Sequence, residues 1–270
     1  MVKSARLLVV PLALLLSFWV GPAANAAASL PSSMAAVGDS ITRAYDVCCW
    51  YGDHANDSWS TGDNRFDGVS SHYERLLAVH PAIAGHQYND AVSGAKASDL
   101  SGQVAAAVSQ KARYVTVLIG ANDLCTSSTG TMTSTSAFES QVTSALTALH
   151  KGLPRSQIFI ASIPNLYQLW SVLRTNSLAR FVWSTANICP SMLASTNTET
   201  ERQQVVEREI AFNAILERAC ARYAQCRWDG NAVYNYQFSS SQVSTLDYFH
   251  PSLSGQAALA DKTWAASWWG

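Results

Sequence analysis

The stretch Tyr114-Val115-Thr116-Val117-Leu118-Ile119-Gly120-Ala121-Asn122-Asp123 decides the fold. Its first six residues are β-branched, aromatic or aliphatic and carry no charge, the composition of a strand buried on both faces. Gly120 stops the strand, and Asn122 and Asp123 follow at once, so polar side chains stand at the carboxyl end of a buried element. The same grammar recurs on both sides. Met34 to Val37 is a short apolar run that enters Gly38-Asp39-Ser40-Ile41-Thr42. Gln87 to Val92 reads as a strand, weakened by Asn89 and Asp90, before Ser93-Gly94-Ala95. Ile158 to Ile163 is another, closed by Pro164.

Helical spacing fills the intervals. Ser70 to Val79 and Phe138 to Leu149 carry apolar residues at helical period, and Glu199 to Tyr223 is the longest run, with Val206, Ile210 and Ala214 in register. Strands alternating with helices predict an α/β fold, a central parallel sheet with helices on both sides. Segments 46–67 and 124–136 are rich in Ser, Thr, Asn, Asp and Gly and read as long loops, a length that is often functional in a compact domain. No internal repeat is visible.

The first residues set the compartment. Lys3 and Arg6 precede an uncharged apolar run from Leu7 to Val20; Gly21-Pro22 breaks it, and Ala24-Asn25-Ala26 offers a small-residue cleavage site. This is the layout of a secretory signal peptide. The run is short of the roughly 20 residues that span a bilayer. The reading is therefore a cleaved signal over 1–26, a single domain over 27–270, a secreted product and no transmembrane anchor after processing. Removing Lys3 and Arg6 from 18 basic residues leaves 16 against 19 acidic ones. Without a basic patch, nucleic acid and anionic membrane surfaces are poor partners. Nine Trp and ten Tyr with little charge suggest a well-filled core and an aromatic-lined cleft.

All six cysteines, Cys48, Cys49, Cys125, Cys189, Cys220 and Cys226, lie beyond the signal. An even count in an exported chain suggests disulfides. Cys220 and Cys226 are near enough to close a small loop after a helix, Cys125 and Cys189 would then pair at long range, and Cys48-Cys49 is left as a vicinal bond or paired elsewhere. No C-x-x-C pair and no two histidines at i, i+4 point to a metal. Asp53, Asp57, Asp63 and Asp67 do not fit the spacing of an EF-hand loop.

In open α/β sheets ligands bind beyond the carboxyl ends of the strands. Ser40 stands there, where it would sit at a helix N-terminus with free backbone N–H groups. Gly94 could bring a backbone N–H close to a developing oxyanion, and the Asn122 amide could donate to the same atom. Near the end of the chain, Asp247-Tyr248-Phe249-His250-Pro251 offers a histidine base and a carboxylate to orient it. No G-x-S-x-G elbow occurs, which argues against an α/β-hydrolase lipase.

In this order, and spanning residues 38 to 250, these four pieces resemble the blocks of the SGNH (GDSL-type) hydrolase superfamily: G-D-S, Gly, G-x-N-D and D-x-x-H. Ile41 replaces the commoner leucine. The resemblance implies a three-layer α/β/α flavodoxin-like fold and a secreted serine ester hydrolase of carboxylesterase, lipase or phospholipase type. Ser40 would be its nucleophile, His250 its base and Asp247 the orienting residue. Ser40, Gly94 and Asn122 would form the oxyanion hole. No metal or organic cofactor is implied, and a monomer acting on a small-molecule or lipid ester is expected. Trp59-Ser60-Thr61-Gly62 is similar to a segment of phospholipase-B-like branches. A carbohydrate acetyl esterase of the same superfamily is the nearest alternative; an inactive binding or cell-wall protein would be expected to have lost Ser, Asn or His, and none is lost.

Overall fold

Every residue of the strand Tyr114–Leu118 is buried, and the rest of the molecule is arranged around it. In the computed structural model, which describes residues 1–2 and 29–270, five strands lie parallel among the described residues: β1 (Met34–Gly38), β2 (Gln87–Asn89), β3 (Tyr114–Leu118), β4 (Gln157–Ile160) and β5 (Cys226–Trp228). Their order is β2-β1-β3-β4-β5. Gly38 pairs with Leu118, Val117 with Ile160 and Ile160 with Trp228, so the carboxyl ends of four strands finish at one edge. The loops that leave this edge carry the polar motifs read from the sequence.

The main helices are α1 (His72–Val79), α2 (Leu100–Ser109), α4 (Thr135–Gly152), α5 (Leu166–Leu173), α6 (Ser177–Thr185), α8 (Glu199–Cys220) and α10 (Leu253–Ala266); α3 (Ala121–Leu124), α7 (Pro190–Leu193) and α9 (Ala232–Asn235) are single turns. Local sequence fixes several starts. Ser71 and Glu74 close a capping box on α1, Thr198 and Glu201 do so on α8, and Ser134 caps α4. Among these, α4 packs between α2 and α8, while His72 and Arg75 of α1 bond Thr263 and Asp261 of α10 on the face to which Tyr114 points. The helix-flanked parallel sheet is the α/β architecture expected.

One buried polar group joins the α1–α10 layer to the sheet. His72 is wholly buried, with Nδ1 2.8 Å from the Tyr114 hydroxyl and Nε2 2.8 Å from Thr263 Oγ1. Burial, reinforced by the nearby Arg75 cation, pushes its imidazole down to about 3.

Several boundaries differ from those expected. β2 stops at Asn89, whose side-chain amide turns away to donate to Thr42 O and Thr61 Oγ1. The long helix presents Val205, Phe212, Leu216 and Ala219 to the core, with Glu209 and Asn213 between them, and leaves Ile210 half exposed. Its inward face is therefore shifted from Val206, Ile210 and Ala214. Strand β5 and helices α2, α5, α6 and α10 were not anticipated. Cys125 is bonded to Cys189 and Cys220 to Cys226, while Cys48 and Cys49 are free thiols. The signal-peptide reading lies almost entirely outside the described residues. Among those described, no helix is long and apolar enough to cross a membrane.

Candidate active site

Gly38 ends β1 in a conformation closed to other residues. Its φ is +154°, and a Cβ there would lie 2.2 Å from Leu118 O on the neighbouring strand. The buried Gln103 of α2 clamps both backbone groups of Gly38, accepting from its N–H at 2.7 Å and donating to its C=O at 2.9 Å. The chain leaves this clamp as a series of turns over residues 40–46, not as the helix expected after Ser40. Arg43 N still donates to Asp39 O at 3.2 Å, one helical turn that goes no further because Ala44 and Asp46 adopt left-handed φ values of 50° and 53°.

From the opposite end of the sequence, residues 243–251 fold over that turn. Val243 bridges Pro251, Ser244 N donates to His250 O at 2.8 Å, and Tyr248 takes φ +58°. The kink lets Asp247 Oδ1 accept from the N–H groups of Phe249 and His250 at 2.9 and 3.0 Å, while Oδ2 bonds His250 Nδ1. His250 Nε2 lies 2.8 Å from Ser40 Oγ. All three residues are buried to above nine-tenths. The Phe249 and Tyr45 rings stand beside the imidazole, at centroid distances of 4.9 and 5.1 Å. Three sequence-predicted residues separated by more than 200 positions thus form one hydrogen-bonded line.

The other two predicted residues reach the same edge. Gly94 sits at φ +84° in a loop whose Val92 N donates to Gly38 O, and Asn122 Nδ2 donates to Ala95 O at 3.0 Å. One amide hydrogen of Asn122 is thereby used to hold the Gly94 loop, which leaves the second for a ligand. Among the described residues, the N–H groups of Ser40 and Gly94 have no acceptor. Asp123 fastens the same loop by accepting from Ala97 N at 2.9 Å.

Sequence reasoning missed the groups that brace this site. Gln256 of α10, wholly buried, accepts from Trp59 N and donates to Ile41 O, both at 2.9 Å. Trp59 itself is buried, so the Trp59–Gly62 segment supports the nucleophile turn from inside. Asp46 is buried within 4.8 Å of the Asp247 and His250 ligand atoms. Burial above all, and then the Asp247 charge, push its carboxyl up against the bond from Gly52 N, which lowers it. Asp39 is more perturbed. Oδ1 accepts from Ile41 N, Oδ2 has no partner, and burial raises the carboxyl to about 7 against the bond from Ile41 N and the nearby His250, which lower it. The contacts of Gln256 span 197 and 215 residues, and no short-range spacing announces them.

A narrow apolar cleft opens beside the line. Ile41, Phe249 and Pro251, chain neighbours of Ser40 and His250, line it together with Leu166, Leu169 and Phe238. Several of its polar atoms are already bonded within the protein. Asn165 Oδ1 accepts from Gln168 N, Gln168 Nε2 donates to Phe238 O, and Gln242 Nε2 donates to the Tyr236 hydroxyl.

The chain is similar to known proteins in sequence and in fold. Over 187 residues the chain is 28% identical to mouse membrane-associated phospholipase B1, an alignment that covers 59% of this chain and 12% of that protein; the chain thus matches about an eighth of its relative's length. The lipase Lip_vut3 from a goat rumen metagenome superposes with a TM-score of 0.55 at 15% identity, over 87% of this chain and 97% of that one. A family 3 carbohydrate esterase from Clostridium thermocellum gives a TM-score of 0.50 at 13% identity, over 87% and 94%. At such identities the two structures speak for the fold. A family model described as GDSL-like lipase/acylhydrolase matches residues 34–263, nearly all of the described chain, and the chain therefore belongs to that family of serine ester hydrolases.

Proposed function

We infer that this chain is an exported serine ester hydrolase with Ser40 as nucleophile, His250 as general base and Asp247 as the carboxylate that orients the base. The hydrogen-bonded line from Ser40 Oγ through the imidazole to Asp247 carries the reading. A carboxylate only accepts, so neutral His250 holds its proton on Nδ1 and offers the Nε2 lone pair to the Ser40 hydroxyl. When Ser40 Oγ attacks an ester carbonyl, its proton passes to Nε2 and Asp247 steadies the imidazolium. Charge gathering on the carbonyl oxygen is met by the N–H groups of Ser40 and Gly94 and by the free Asn122 amide hydrogen. His250 then gives the proton to the leaving alcohol, and a water activated by the same nitrogen hydrolyses the acyl-Ser40.

The cleft bears on the substrate. A mainly apolar lining suits an aliphatic acyl chain. The similarity to phospholipase B1 leans the same way. An ester of a longer acyl chain is therefore the proposed substrate, ahead of an acetylated polysaccharide, with the 27–270 domain acting outside the cell as a monomer. The features of residues 1–26 support that export.

A fluorophosphonate probe should label the wild-type chain at Ser40, and Ser40→Ala should abolish both labelling and hydrolysis with little change in melting temperature. More than a few per cent residual activity in the variant would remove Ser40 from its role. On nitrophenyl esters, medium chains should be preferred to acetate; the reverse order, with release of acetate from acetylated xylan, would favour the carbohydrate esterase.

A further inference from the structure

We propose that the loop following the nucleophile turn is a zinc site whose protein ligands are Cys48 Sγ, His54 Nδ1 and the Asp57 carboxylate. The spacing of these residues matches no familiar zinc pattern, but the loop brings their ligand atoms to within 4.8 Å of one another. His54 and Asp57 are each more than nine-tenths buried.

The hydrogen-bond arithmetic of His54 leaves a place for a cation. Its Nε2 lies 3.0 Å from Trp50 O, and a carbonyl can only accept, so the ring proton of neutral His54 is on Nε2 and Nδ1 carries a lone pair. That lone pair faces Asp57 Oδ2 at 3.6 Å, beyond hydrogen-bond range. Two acceptors therefore face each other in a buried setting, with the Cys48 sulfur beside them. A tetrahedral zinc with bonds of about 2.0–2.3 Å to N, O and S holds its ligand atoms roughly 3.3–3.6 Å apart, so the His54–Asp57 separation already has that spacing.

The supporting contacts are those that metal ligands have. A ligating histidine usually donates its other N–H to a carbonyl, as His54 does to Trp50. Asp57 Oδ1 accepts from Asn64 Nδ2 at 2.7 Å, which turns Oδ2 inward. The Trp50 ring lies beside the His54 ring, tilted to it, at a centroid distance of 4.7 Å. The mixed sulfur, nitrogen and oxygen set suits zinc and is a poor cage for calcium or magnesium, which take oxygen. A water molecule completes the tetrahedron.

The site would also stiffen the catalytic surround. His54 N donates to Arg43 O at 3.0 Å, and Asp46, next to Asp247, exchanges two hydrogen bonds with Gly52 of the same loop.

The test uses the mature chain purified without reductant, stripped with a chelator and titrated with zinc, then with cobalt as a spectroscopic substitute. About one zinc should bind per chain, and the cobalt form should show a thiolate-to-metal charge-transfer band. Cys48→Ser should remove the band and His54→Gln should weaken zinc binding at least about tenfold, while Cys49→Ser should leave both as they were. Fluorophosphonate labelling of each variant shows that it has folded. A Cys48–Cys49 disulfide in the purified chain would overturn the proposal. So would zinc bound equally well by the Cys48→Ser/His54→Gln double variant, which would mark an adventitious ion only. Neither result touches the assignment of Ser40, which rests on its own labelling.

Discussion

His72 makes the stability of this fold depend on acid in a way that can be calculated. In the unfolded chain its imidazole titrates at 6.5; in the folded chain burial holds it at about 3. Between those values the unfolded state binds the proton that the folded state refuses, so stability rises with pH through this window and is lost as pH falls. Each pH unit of displacement is worth about 1.4 kcal/mol, so the whole shift amounts to about 5 kcal/mol and the part lost between pH 7 and about pH 4.5 to roughly 2–3 kcal/mol. Buried acids such as Asp39 and Glu209 are shifted upward and act in the opposite sense. A difference measurement removes them. His72→Gln keeps a donor and an acceptor for Tyr114 and Thr263 but does not titrate. Guanidinium unfolding of both proteins at the two pH values should find the wild type losing its advantage over the variant by that amount in acid. A difference that stays constant across the range would mean that His72 is not held neutral by its burial.

Three further outcomes follow from the active-site geometry. Asn122→Ala should lower kcat by roughly 10²–10³-fold with KM little changed, because its free amide hydrogen is assigned to charge that exists only in the transition state; an effect mainly on KM would make Asn122 a substrate-binding residue. Asp247→Asn should lower kcat by up to about 10⁴-fold, since an amide can hold the imidazole in the wrong tautomer; wild-type kcat in that variant would show that the backbone alone orients His250. Peptide mapping of non-reduced protein should recover Cys125 joined to Cys189, and Cys125→Ser/Cys189→Ser should cost about 2–4 kcal/mol of stability; free Cys125 in exported material would refute the bond.

What could be read in the sequence was what depends on neighbours in the chain. Strand β3 declared itself because both its faces are buried, and the G-D-S, G-x-N-D and D-x-x-H pieces are local turns whose residue types are constrained by the backbone. Strand β5 could not be read this way. Cys226-Arg227-Trp228 lies at an edge with Arg227 exposed and carries no apolar run. The inward face of α8 was misjudged because Glu209 and Asn213 are buried to bond Leu166 N and Ile163 N, a tertiary demand that overrides hydrophobic period. The helix expected after Ser40 fails for a similar reason: the chain turns away in left-handed steps at Ala44 and Asp46. Gln103 and Gln256, which hold the nucleophile turn, act across 65 and 215 residues. Their side chains have no local signature.

The placement of Gln256 and His250 has a bearing on when activity begins. A ribosome delivers all five strands before it delivers either residue, so the sheet can assemble around a serine that still has no base. Once α10 has docked, Gln256 joins Trp59 to Ile41 and braces the Ser40 turn, against which Ser244 and His250 hold the histidine loop. The edge on which Ser40 stands is thus begun by early residues and completed by late ones, with 210 positions between the hydroxyl and the imidazole that bonds it.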